Sequence, residues 1–154
     1  MKNFLWIPVF IIACLLVGVI SAQFQADALA HWYPALNKSA LTPPAAVFPI
    51  AWTILYILMG TSGGIVAASK GIGYKSLLSI FWMQLFFNFW WSILFFYLHS
   101  PAIALLDALA IQILALTYAF KAWPRFRLAS VLFVPYIFWL AFAIYLNAYV
   151  AIFN

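Results

Sequence analysis

Five long apolar runs dominate the chain, at residues 4–22, 46–68, 76–98, 101–122 and 128–153. An α-helix rises about 1.5 Å per residue, so about 20 apolar residues cross the hydrocarbon core of a bilayer. The pattern therefore predicts an all-α fold, a single bundle of five transmembrane helices. None of the runs alternates polar and apolar residues, as the strands of a membrane barrel do. Short polar breaks, SKGIGYK, HSP and WPRFR, separate the later runs, and Pro101 and Pro124 fall where helices start or stop. A signal peptide competes for the first run, because Lys2 precedes it and small residues close it. The run is longer than the apolar region of such a peptide, which favours a retained helix.

The connection over residues 23–45, QFQADALAHWYPALNKSALTPPA, breaks the pattern. Trp32, Tyr33, Leu36 and Leu41 need apolar surface to pack on, which argues against disorder. Pro43 and Pro44 stiffen its far end. A connection of this length in a compact protein is functional or disordered. The prediction is an ordered lid over one mouth of the bundle.

Composition supports a bilayer as solvent. Of the 154 residues, 69% are hydrophobic and 6% charged, too few charges to cover a water-facing surface. Aromatics reach 21%, more than interfacial belts require. With five spans, Lys2, Lys70, Lys75, Lys121, Arg125 and Arg127 share one side and Lys38 stands alone on the other. The positive-inside rule then predicts a multi-pass protein of the cytoplasmic membrane, N-terminus inside, lid and C-terminus outside. No basic run tracks a phosphate backbone, which argues against nucleic-acid binding. Cys14 reads as a small lipid- or core-facing residue.

Polar groups inside a span each need a partner. Gln84 and Asn88 share one face of the third span, and Trp91 and Phe95 continue it. Interhelical packing and polar anchoring in an aromatic pocket are both open for Asn88; Gln84 leans to packing. Asp107 is the acid inside a span, either neutral or bonded to an indole N–H or to Asn88. Trp52, Tyr56 and Met59 form a face of the second span, and Trp139, Ala143 and Leu146 one of the fifth, with Pro135 a turn earlier. Such stripes are bundle core or pocket wall. Trp6, Trp82 and Trp123 read as interfacial anchors. Gly60 and Gly64, and the stripe Ala104, Ala108, Ala115 and Ala119, permit close approach within one chain or between two. No catalytic constellation or metal-ligand spacing is visible, and His31 and His99 are isolated.

The chain reads W-Y-x-x-L-x-K-x-x-x-T-P-P from Trp32 to Pro44 and W-T-x-L-Y-x-x-M-G from Trp52 to Gly60. It continues with N-x-x-W at Asn88 and Trp91, Asp107, and P-Y-x-x-W-L-A-F-A-x-x-L-N from Pro135 to Asn147. These ordered motifs span nearly the whole chain, which resembles the TspO/translocator-protein family of tryptophan-rich sensory proteins. The resemblance implies a five-helix bundle, commonly a homodimer, that binds protoporphyrin IX or other tetrapyrroles beneath the first loop as ligand rather than cofactor. It implies benzodiazepine- and isoquinoline-type drugs as further ligands. The pocket positions it implies are Tyr33, Pro43, Trp52, Tyr56, Asn88, Trp91, Trp139, Ala143 and Leu146. The alternative it raises is an enzyme that degrades porphyrin in light and oxygen through Trp52 and Trp139. A purely structural or interaction protein is the third reading.

Two departures stand out. Ser39 and Leu41 occupy positions where, by the resemblance, the family often has a proline and an aromatic residue, which bears on lid rigidity. The tail LNAYVAIFN lacks the basic residue of the sterol-recognition pattern, which speaks against a cholesterol site.

Overall fold

The computed structural model describes residues 5–154 and contains six α-helices. They are α1 (Trp6–Gln23), α2 (Ala26–His31), α3 (Val47–Ser69), α4 (Tyr74–Ser92), α5 (Pro101–Ala122) and α6 (Arg127–Phe153). A π-helical turn, Ile93–Tyr97, extends α4. Five of these helices, all but α2, are long and apolar enough to cross a membrane. The spans begin and end within one or two residues of the expected boundaries. Phe4, where the first was expected to start, and Lys2 lie outside the described residues.

Local chemistry sets the helix ends. Pro101 occupies the first turn of α5, where a missing N–H costs nothing. Lys70 closes α3 in the left-handed region (φ 46°), and Gly73 opens α4 at φ 83°. The helices pack in the ring α1, α3, α6, α5, α4, which closes as α4 returns to α1 through Phe10 against Phe81 and Trp82. Trp82, expected near a span end, lies well inside α4 and packs on that contact.

The small residues are spent inside the chain. A methyl group at Gly60 would overlap the backbone of Ile11, and one at Gly64 the backbone of Ile7. The GxxxG face of α3 is thus the seat of α1, which makes α1 a working member of the bundle. Ala104, Ala108, Ala115 and Ala119 are likewise buried, on the face that α5 turns to its neighbours. Cys14 is fully buried in the core.

The lid is more regular than a loop. Beyond α2 it makes a 3₁₀ turn, Tyr33–Ala35, then runs to α3. Trp32 stacks on His99 at 4.4 Å and meets Phe95 edge-on. Tyr33 and Leu36 pack over Phe95 and Phe96, but Leu41 is 65% exposed. Ser39 ties the lid to α6: its hydroxyl bonds the Tyr145 hydroxyl (2.8 Å) and accepts the Leu41 N–H (3.1 Å). Asn154 closes the far edge, accepting the Asn37 N–H (2.8 Å) and donating to the Asn37 carbonyl (3.1 Å).

Basic residues divide between the two ends. Lys70, Lys75, Lys121, Arg125 and Arg127 lie at or beside the α3–α4 and α5–α6 connections, opposite the lid, which carries Lys38. The Arg125 guanidinium donates to the Ile72 carbonyl (3.4 Å) and Arg127 lies over the Trp123 ring.

Replacing Gly60 or Gly64 by Leu forces α1 off α3 and costs about 1–3 kcal/mol or more of stability. Thermal unfolding in detergent should show a clearly lowered midpoint for either variant. An unchanged midpoint would contradict the packing described.

Candidate functional site

Polar side chains from three helices meet in the middle of the bundle. The Tyr56 hydroxyl of α3 donates to Asn88 Oδ1 of α4 at 2.7 Å. Asn88 Nδ2 donates to the Tyr136 hydroxyl of α6 at 3.2 Å. Tyr136 in turn donates to Gln84 Oε1 at 2.8 Å. Asn88, Tyr56, Gln84 and Tyr136 are all buried. In hydrocarbon an unpaired amide or hydroxyl has no water to turn to, so each group fixes the others. The i, i+4 spacing of Gln84 and Asn88 lets one phenol bridge both.

Aromatic rings stand on this network toward the lid. Trp52, one turn before Tyr56, lies with its ring 5.6 Å from that of Tyr56 and 6.3 Å from that of Tyr136. Trp91, nearly one turn beyond Asn88, is held by its indole N–H on Asn147 Oδ1 (3.0 Å), while Asn147 Nδ2 donates to the Pro101 carbonyl (2.7 Å). Trp91 stacks on Phe95 at 5.1 Å and meets Phe96 edge-on. The π turn explains how consecutive phenylalanines both turn inward: the Leu98 N–H reaches back to the Ile93 carbonyl (2.8 Å), which widens the helix there. Tyr33 of the lid closes on the same pair, at 6.3 Å from Phe95 and 5.8 Å from Phe96. Burial raises the pKa of the Tyr33 phenol, which keeps it neutral.

Of the nine expected positions, Trp52, Tyr56 and Asn88 are in direct contact, and Trp91 and Tyr33 are joined through Phe95 and Phe96. Trp139 stands apart, against Phe48 and Phe142, with its indole N–H buried and unpartnered. Pro43, Ala143 and Leu146 are half-buried and offer apolar surface only. Beneath the lid the rings of Tyr33, Trp91, Phe95 and Phe96 pack on one another. A surface groove of about 440 Å³ runs along the outside of α3 and α6, past Leu55, Pro135, Phe138 and Trp139.

Of the alternatives for Asp107 the bonded ones fall away, and one central residue is not among the expected positions. Asp107 bonds neither Asn88 nor an indole, because Tyr56 and Tyr136 take Asn88 and Asn147 takes Trp91; its buried Oδ2 has no partner. Tyr136, the hub of the network, is absent from the nine positions. Its signal was its place one turn before Trp139, on a helix facing two amides. Nearer the basic end a second cluster ties α3, α5 and α6: Ser62 donates to the Ala129 carbonyl (2.7 Å) and lies 2.9 Å from the Tyr118 hydroxyl.

Replacing Asn88 by Leu orphans the Tyr56 hydroxyl and removes one of the two bonds of Tyr136. Buried bonds of this kind contribute about 0.6–2 kcal/mol each in membrane bundles, so the variant should melt measurably lower in detergent. Replacing Asp107 by Leu, which orphans nothing, should leave the melting midpoint unchanged or raised. Equal losses from the two variants would contradict the assignment of Asn88 as a tie between helices.

Comparison with known proteins now has a geometry to meet. Residues 3–153 match the model of the TspO/MBR family. The chain is 34% identical to the tryptophan-rich protein TspO of Archaeoglobus fulgidus, over 99% of both chains. It is 36% identical to the tryptophan-rich protein TspO of Chlorobaculum tepidum, over 95% of this chain and 94% of the other. Identity to the tryptophan-rich sensory protein of Cereibacter sphaeroides is 38%, over 90% of this chain and 84% of that one. Five apolar spans, a docked lid and a family match over almost every residue lead to one conclusion: this chain belongs to the TspO/MBR family of membrane proteins.

Proposed function

We propose that this protein is a membrane receptor, sensor or carrier that binds porphyrins, protoporphyrin IX in the first place, and related flat apolar ligands beneath the lid. One observation carries the reading. Trp52, Trp91 and Tyr33 come from three separate elements to the same end of the bundle, on a floor of hydrogen-bonded Tyr56, Asn88 and Tyr136. A flat π-system gains most from ring stacking and edge contacts, which these residues offer. Because these rings pack on one another, a macrocycle enters by displacing them, and the lid moves with it. Drugs of the benzodiazepine and isoquinoline type fit the same description.

A second reading, light- and oxygen-dependent porphyrin degradation, is favoured by the indoles of Trp52 and Trp139. Neither makes a hydrogen bond among the described residues, and the N–H of Trp139 is buried without a partner. Trp52, within the site, is open to oxidation beside an excited macrocycle, while Trp139, which stands apart, would act only as a relay. A homodimer would pair through faces other than the Gly60/Gly64 and alanine stripes, which the chain itself covers. We place the basic end in the cytoplasm and the lid and C-terminus outside a cytoplasmic membrane.

Three measurements test these readings. Protoporphyrin IX should quench the tryptophan fluorescence of the purified protein saturably, with the quenching much weakened in a Trp52→Ala, Trp91→Ala double variant. Quenching that is unsaturable, or that the variant shares in full, contradicts the site. Trp52→Phe and Trp139→Phe keep an aromatic face, so binding should survive within a few-fold. If degradation occurs, these variants should lose it while still binding, and illuminated porphyrin that decays no faster with protein than without it eliminates the enzyme. Reporter fusions should place the C-terminus outside; a cytoplasmic C-terminus reverses the orientation.

A further inference from the structure

We propose that Lys38 recognises the carboxylate edge of the ligand and orients it with its acid groups toward the lid and its apolar edge toward the bundle core. The inference rests on the porphyrin-binding reading and adds the anionic character and orientation of the ligand.

Among the described residues, Lys38 is the one Lys or Arg on the lid side. An interfacial lysine ordinarily extends its ammonium into water. Lys38 does the opposite. Its Nζ folds back over the lid and donates to the carbonyls of Tyr33 (2.9 Å), Pro34 (3.1 Å) and Leu36 (3.1 Å). The same ammonium lies 5.1 Å from the centre of the Tyr33 ring. The carbonyls satisfy its N–H groups but carry no net charge. Among the described residues no carboxylate pairs with it: the ion pair on this side joins Asp27 to His31, on the exposed face of α2. A fixed, half-buried and uncompensated positive charge therefore sits directly above a residue of the candidate site.

Its position divides the site by polarity. Below Tyr33 come Phe95, Phe96 and Trp91, all apolar faces, and below them the neutral amides and phenols of the floor. A ligand that is apolar throughout gains nothing from Lys38. One with an apolar plane and carboxylates along one edge satisfies both regions in a single orientation, because its acids cannot be carried into hydrocarbon uncompensated. Protoporphyrin IX, with two carboxylates on one edge, has this form. The charge acts at a half-exposed position, so its effect on affinity is about three- to tenfold rather than orders of magnitude.

Lys38 also braces the lid, and the test separates that role from charge recognition. Protoporphyrin IX and its dimethyl ester share the macrocycle and differ in charge. Both are titrated, by tryptophan quenching, into the purified full-length protein and its Lys38→Met and Lys38→Arg variants in the same detergent. Lys38→Met should lower the acid-to-ester affinity ratio about three- to tenfold, whatever loss of the lid brace does to both compounds alike. Lys38→Arg should keep the preference for the acid, and salt should weaken the acid alone. An acid-to-ester ratio unchanged in Lys38→Met overturns the proposal, whether both affinities hold or both fall, since a mere lid brace moves them together. If the unmodified protein binds neither compound, the porphyrin reading itself fails and takes this inference with it.

Discussion

An amide in the middle of a bilayer has no solvent to fall back on, and the arrangement of this bundle follows from how Asn88 solves that problem. It accepts from Tyr56 and donates to Tyr136, so α3, α4 and α6 meet across the bundle centre through one side chain. α4 and α6 do not run side by side in the ring, yet the bond from Tyr136 to Gln84 locks their relative rotation as well. Once those rotations are fixed, the indoles of Trp52 and Trp91, about one turn nearer the lid, face the same region. The network contributes specificity of arrangement more than stability, since membrane hydrogen bonds of this kind are individually modest.

Close packing supplies what the network does not. Without a hydrophobic drive between helices in lipid, dispersion contacts decide association, and these need backbones to approach. Gly60 and Gly64 let α1 lie against α3, and the alanines of α5 do the same for the other side of the ring. The lid depends on neither device. It is held at its rim by the Trp32–His99 stack, the Ser39–Tyr145 bond and the reciprocal Asn37–Asn154 pair, and from beneath by Tyr33 and Leu36 packed on Phe95 and Phe96. The rim contacts stand apart from the ring contacts of Tyr33 on Phe95 and Phe96, which are the ones a ligand beneath the lid replaces.

Much of this was legible in the chain. Spans follow from apolar length, and the pairing of Gln84 with Asn88 announced a polar crossing. The ordered lid was visible in Trp32 and Tyr33, which had to pack somewhere. What escaped was whatever depends on rotation about a helix axis. Tyr136 is one more aromatic in an apolar run until it is known to face Asn88. Phe96 is inward only because of the π turn, which the sequence ILFFY does not signal. Asp107 drew attention as a charge inside a span, but the phenols reach Asn88 from other helices, and only coordinates reveal that competition. The helical character of the lid was masked by its mixture of polar and aromatic residues.

The central claim is the location of the ligand: beneath the lid, over Tyr56 and Asn88, among the rings of Trp52, Trp91 and Tyr33. An experimental structure of the protein with protoporphyrin IX bound tests this most directly. The account predicts the macrocycle in that position, Phe95 and the lid displaced to admit it, and the Tyr56–Asn88–Tyr136 network intact below. A macrocycle seated instead in the outer groove along α3 and α6, with the lid and its rings undisturbed, would contradict it.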